Sequence, residues 1–156
     1  MSTRWDPPKP SAVRIYDVLL GGRDNFDADR KVAGELTRIY PGVPGLAREN
    51  RAFLARAVGW ATGQGIGQFI DLGAGVSVRA PLENIHQTAR KTSKAARVCY
   101  VDNDPYAARH GRLLLTGDGM TYAEADLRDP EKVLAQTDVT AVIDLAEPAC
   151  LIFGLV

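Results

Sequence analysis

An α/β fold with a parallel sheet, preceded by a helical N-terminal segment, is what this sequence predicts. Three observations carry the prediction. Apolar residues recur at helical spacing between Ala12 and Ala61. From Ile66 onward, short apolar runs alternate with helical stretches, the pattern of strands joined by crossover helices. The three clearest runs each end in an aspartate-bearing turn: Asp71-Leu72-Gly73-Ala74-Gly75, Asp102-Asn103-Asp104 and Asp126-Leu127-Arg128-Asp129.

The helical part divides readily. Met1–Pro10, with three prolines and scattered charges, reads as a flexible leader. Ser11 is placed to cap a helix over Ala12–Leu20, ended by Gly21-Gly22. Asp27 starts a second helix with Val32, Ala33, Leu36, Ile39 and Tyr40 as its apolar stripe. Pro41–Gly45 reads as a hinge or turn. A third helix runs from Leu46 to Ala61, burying Phe53, Leu54, Ala57, Val58 and Ala61, with Arg48, Glu49, Arg51 and Arg56 elsewhere around it. Trp60 is expected in the core. Residues 11–65 thus form a helical lid or cap segment.

The remainder, 66–156, reads as strand-helix repeats. Phe69–Leu72, Arg97–Val101 and Met120–Ala125 are strands. Helices are expected after the glycine turn, with Pro81 near the first turn, from Pro105 to Leu115, and over Pro130–Gln136. Val139–Leu145 is a strand or an extended connection, and Cys150–Val156 reads as a fully buried central strand.

Composition excludes several functions. Nineteen basic and nineteen acidic residues cancel, which argues against a nucleic-acid groove or an anionic membrane surface. No stretch approaches the roughly 20 apolar residues that span a bilayer, and the leader has no apolar signal core, so a cytoplasmic location is expected. Cys99 and Cys150 sit in apolar runs and read as reduced core thiols. With two widely spaced histidines they make no metal site.

Ligands of open parallel sheets bind outside the carboxyl ends of the strands, where the three acidic turns lie. Gly73 and Gly75 allow a tight turn and close approach of backbone to ligand. Asp71, two residues before the first glycine, would repel a pyrophosphate but suits a ligand with a cationic centre and an ammonium group. S-adenosylmethionine is such a ligand. Val78 also stands where a dinucleotide loop has its third glycine. Asp102 is placed to accept from both ribose hydroxyls, with Asn103 beside it. Asp126 is placed to accept from the adenine amine, with Leu127 against the ring. Asp104 and Asp129 also read as helix caps. Arg14 and Asp17 pair on a surface helix in the plainer reading of the N-terminal segment. In the sharper one the segment closes over the cofactor's methionine end, with Arg14 on its carboxylate and Tyr16 as a wall. His86 reads as a hydrogen-bonded structural residue.

Five ordered stretches resemble a bacterial S-adenosyl methyltransferase family once classed as a domain of unknown function. They are Ala12–Phe26 (AVRIYDVLLGGRDNF), Ala47–Leu54 (ARENRAFL), Gln68–Gly75 (QFIDLGAG), Val101–Pro105 (VDNDP) and Ala125–Pro130 (ADLRDP). The resemblance implies a Rossmann-like class I methyltransferase fold with S-adenosylmethionine as cofactor. It assigns the cofactor loop to Asp71, Gly73 and Gly75, the ribose acid to Asp102 and the adenine contact to Asp126. It supplies no acceptor. Val76-Ser77-Val78 and Glu147-Pro148 depart from the family's usual residues.

The same resemblance implies a seven-stranded sheet, of which this chain carries strands one to four. The expectation is therefore a C-terminally truncated, partial cofactor-binding domain, whose last strand offers an apolar edge for self-association. Methyl transfer to a small-molecule acceptor is the leading function. A non-catalytic or degenerate cofactor-binding module stands beside it, and a nicotinamide-dependent oxidoreductase is disfavoured by Asp71 and Val78.

Overall fold

A computed structural model describes residues 9–76, 82–115 and 117–155. Trp5, Val78, Pro81 and all but the last two residues of the leader lie outside them. The chain divides into two compact units, Met1–Glu49 and Asn50–Val156. The elements in order are α1 (Ala12–Leu19), α2 (Asp27–Ile39), α3 (Val43–Gly63), β1 (Gln68–Leu72), α4 (Ile85–Thr92), β2 (Arg97–Asp102), α5 (Pro105–Leu114), β3 (Met120–Glu124), α6 (Pro130–Leu134), α7 (Thr137–Thr140) and β4 (Cys150–Phe153).

In the N-terminal unit, Ser11 caps α1 by accepting from the Arg14 amide. Gly21 ends the helix with φ of 79°. Gly22 has no room for a side chain, because a Cβ there would collide with the Asp17 carboxylate. Asp29, fully buried, joins α1 to α2. It accepts from the Ser11 amide at 3.0 Å, the Phe26 amide at 2.9 Å and Arg14 Nε at 2.9 Å. Burial opposes its ionisation, but these three donors outweigh that and hold its carboxyl below the usual range. Leu19, Ala33 and Ala47 form a small core there.

The second unit is built on a four-stranded sheet in the order β3-β2-β1-β4, with every described pairing parallel. Parallel strands are covered on both faces, which is why β1 and β2 read as apolar runs. Alternation places Ile70, Leu72, Cys99, Val101 and Ala123 on one face, where Val133, Val139 and Ile143 cover them. On the opposite face Asp71 pairs in register with Tyr100, and Tyr100 with Tyr122. The two tyrosine rings stack, 6.1 Å between centroids and 17° apart. Each fully buried apolar side chain contributes about 1.5–3 kcal/mol, so Phe69, Ile70, Val98 and Val101 dominate the cohesion of the sheet.

Several sequence expectations need correction. The turn expected over Pro41–Gly45 is confined to Pro41-Gly42: α3 already starts at Val43, and Pro44 sits in its first turn, where a missing amide costs nothing. Val139–Leu145 is not a strand; α7 and a turn occupy this stretch, and Val139 and Ile143 meet the sheet from outside it. β4 lies at one flank of the described sheet, with the unpaired edge expected of it. It pairs with β1 alone among the described residues, leaving Leu151 and Phe153 more than half exposed. Leu36, Ile39, Tyr40, Phe53 and Trp60 are exposed rather than core. Cys99 is buried, Cys150 half-buried, and both are free thiols. Among the described residues no helix is long and apolar enough to cross a membrane.

Gly111 on α5 lies flat against the Tyr122 ring, and a Cβ there would overlap the ring atoms. Gly111→Ala should therefore destabilise the second unit by about 1–3 kcal/mol, despite alanine's better helix propensity. Urea unfolding checks this. An unchanged or raised midpoint would mean that α5 does not approach β3 as described.

Candidate functional site

Parallel pairing brings the ends of β1, β2 and β3 to one side of the sheet. The chain runs outward through β1, β2 and β3, then returns to place β4 on the other flank of β1. The order reverses beside β1, and the crevice of such a sheet opens at this reversal.

The turn after β1 is fastened from below. Gly73 and Ala74 donate their amides to the Val101 carbonyl at 2.8 and 3.0 Å. Gly75 donates to Asp102 Oδ2 at 2.8 Å, and the Gly75 carbonyl accepts from the Tyr122 hydroxyl at 2.7 Å. Gly73 and Gly75 have φ of 73° and 64°, a region side chains disfavour. Both glycines are thus required by the path of the backbone.

Asp102, buried at the end of β2, takes a second amide, from Asp104 at 2.9 Å on Oδ1. Among the described residues each oxygen accepts one hydrogen bond, fewer than a carboxylate oxygen can take. Asp104 in turn caps α5, accepting from the Tyr106 and Ala107 amides. Asn103 is exposed between them.

Asp71 differs from its neighbours. It is 4% exposed and accepts no hydrogen bond from the described residues. Burial pushes its pKa from 3.8 up to about 7; the Arg51 charge pulls it down and the Asp102 charge pushes it further up. The carboxylates also act on Tyr122, whose phenol is held well above its ordinary range by burial first and then by Asp102, Asp71 and Asp104. Tyr122 therefore stays protonated and donates to the loop. Tyr100 is shifted the same way, chiefly by burial. Its hydroxyl accepts from the His86 amide at 3.1 Å and meets His86 Nδ1 at 2.7 Å. Burial, and secondarily Arg90, lowers the pKa of His86, whose Nδ1 shares one hydrogen bond with the phenol.

Of the residues expected at the site, Asp71, Gly73, Gly75 and Asp102 come together in this way. Asp126 follows β3 and is held by Arg128, whose Nε lies 3.0 Å from both carboxylate oxygens and Nη2 2.5 Å from Oδ2. Those bonds lower its pKa to about 2. Leu127 packs against the Ile70–Val133 cluster. Asp129 caps α6 as expected. Arg14 and Tyr16 are tied within the N-terminal unit, Arg14 to Asp29 and Tyr16 through its hydroxyl to the Ala47 carbonyl at 3.1 Å. Asp17 accepts from the Asp24 amide and the Asn25 side chain.

Sequence reasoning missed Tyr100, Tyr122 and Arg51. The tyrosines had a faint signal: strand alternation puts Tyr100 on the same face as Asp102. Arg51 was read only as lying off the buried face of α3. Instead its Nη2 donates to the Glu83 carbonyl at 2.9 Å and its Nε is closed to solvent.

A family model described as S-adenosyl methyltransferase matches residues 1–156. Two solved structures are similar. A candidate methyltransferase from Thermobifida fusca YX is 43% identical, with a TM-score of 0.86, over 96% of this chain and 57% of that one. A DUF574 family protein from Streptomyces avermitilis MA-4680 is 36% identical, with a TM-score of 0.84, over 95% of this chain and 57% of that one. The chain thus spans little more than half the length of either. No curated protein matches it.

Asp71 generates a stability prediction. Between about pH 4 and pH 7 the folded chain retains a proton that the unfolded chain has released. Stability should fall as pH rises through this window, at up to about 1.4 kcal/mol per unit. Asp71→Asn should remove that slope and raise stability at neutral pH. Denaturant unfolding across the window measures it. Identical slopes for both proteins would show that Asp71 ionises normally.

Proposed function

Because the chain belongs to the S-adenosyl methyltransferase family, we propose that its sheet binds S-adenosylmethionine at the ends of β1 to β3, in the service of methyl transfer to a small-molecule acceptor. The supporting observation is the pairing of a buried, donor-poor carboxylate, Asp71, with a glycine turn fastened to Asp102.

The donor chemistry fits this cofactor. A pyrophosphate beside Asp71 would set like charges together in a poorly solvated place. An ammonium or sulfonium there instead relieves the carboxylate of its burial cost. Asp102 has the unused lone pairs to accept ribose hydroxyls, and the amides of Gly75 and Asp104 fix its orientation before any ligand arrives. Tyr122 braces the loop from beneath. When bound, S-adenosylmethionine supplies an electrophilic methyl group on a good leaving group. The protein's task is then to align an acceptor and exclude water, with little acid-base help. For the adenine, Asp126 is the candidate acceptor, pre-oriented by Arg128. Asn103 is exposed on the turn beside the ribose carboxylate.

A second reading is favoured by β4. Leu151, Phe153 and Leu155 are 54%, 61% and 63% exposed. Apolar strand edges of this kind pair with other chains. We propose that this chain alone binds cofactor and self-associates through β4, with turnover requiring that flank to be covered. Sedimentation equilibrium should show concentration-dependent association that Phe153→Lys weakens. A strictly monomeric wild type at high concentration rules this reading out.

Calorimetry tests the cofactor. S-adenosylmethionine and S-adenosylhomocysteine should bind and NAD should not. Asp102→Ala should weaken the adenosyl ligands by about 1–3 kcal/mol, through lost ribose acceptors and a loosened loop. Unchanged affinity in that variant would show that another carboxylate holds the ribose.

A further inference from the structure

We propose that Arg51 recognises the carboxylate at the amino-acid end of the cofactor, and so sets the site's preference for S-adenosyl amino acids over adenosyl thioethers that lack that group. The proposal rests on the cofactor reading above and deepens it.

The residues place Arg51 at the right end of the sheet. A Cβ on Gly154, just past β4, would lie 3.0 Å from Leu54 Cδ1 and 4.0 Å from Asn50 Nδ2. This stretch of α3 therefore borders the carboxyl end of β4, next to β1 and the reversal in strand order. One residue on from Asn50, the Arg51 side chain anchors to the Glu83 carbonyl in the segment leading into α4. Its charge acts on Asp71 at the exit of β1, yet no ion pair joins the two. Arg51 thus stands near the glycine turn and, among the described residues, pairs with no carboxylate.

Its hydrogen bonding is also incomplete. Nε is closed to solvent and has no acceptor among the described residues. A buried donor left unpaired is costly, the more so when it is charged. Such a group persists where something else supplies the acceptor, and guanidinium donors match carboxylates in geometry and charge. Asp71 offers the complementary half. An amino-acid zwitterion carries one group for each: its carboxylate for Arg51, its ammonium for Asp71. Neither residue would favour a neutral alkyl thioether.

The test uses three ligands and two proteins. Calorimetry of the wild type should rank S-adenosylhomocysteine roughly 10–100-fold above its decarboxylated analogue, the equivalent of one charged hydrogen bond. Arg51→Ala should collapse that ratio towards one while leaving 5′-methylthioadenosine within about twofold of wild type. A purely structural arginine would weaken all three ligands together, and that result overturns the proposal. So does a wild type that binds S-adenosylhomocysteine and its decarboxylated analogue equally, a measurement that stands even where the variant fails to fold. In both cases the cofactor reading survives. A wild type that binds none of the adenosyl ligands sinks the cofactor reading and this one with it.

Discussion

Parallel pairing is the constraint on which the site depends. Strands that run the same way must end on the same side, so the turns after β1, β2 and β3 converge whatever their sequence. With the order β3-β2-β1-β4, the strand order reverses beside β1, the position at which open parallel sheets take their ligands. The apolar rows beneath, Ile70 with Cys99 and Leu72 with Val101, hold the register fixed. A slip of one residue would exchange the faces of Asp71 and Leu72.

Convergence crowds carboxylates, and the fold handles each differently. Asp102 is given two backbone amides, Asp104 two amides of α5, and Asp126 the guanidinium of Arg128. Asp71 receives a distant positive charge and no donor among the described residues. Its burial therefore opposes folding. Sites that bind charged ligands often carry such uncompensated groups, because the ligand completes them. The Tyr100–Tyr122 stack and the His86 contact surround this weak point with hydrogen-bonded aromatic packing, so the carboxylate is embedded in rigid neighbours.

What the sequence disclosed follows from which interactions are local. Strand ends, the glycine turn, and the caps at Ser11, Asp104 and Asp129 depend on neighbours within a few residues, and all were legible. The alignment of Asp71 with Tyr100 and Tyr122 depends on register between strands some 20–30 positions apart, which no local pattern encodes. Arg51 carried no site signal because its partner, the Glu83 carbonyl, lies 32 residues away in the sequence. The apolar run at Cys150–Val156 correctly indicated a strand, but its burial depends on what lies beside it. Val139–Leu145 shows the same ambiguity: Val139 and Ile143 are four residues apart, a spacing that also fits a helical turn packed on a sheet.

The exposed flank of β4 bears on the site through β1. Leu151 and Phe153 pair in register with Ile70 and Leu72, and so continue the apolar row that α6 and α7 cover elsewhere. Burying them would add roughly 25 cal/mol for each Å² removed from water. Since β4 also supplies one of the two hydrogen-bonded neighbours of β1, any chain that covered this flank would brace the strand carrying Asp71. The cost of burying that carboxylate and the gain from covering β4 would then fall on the same strand.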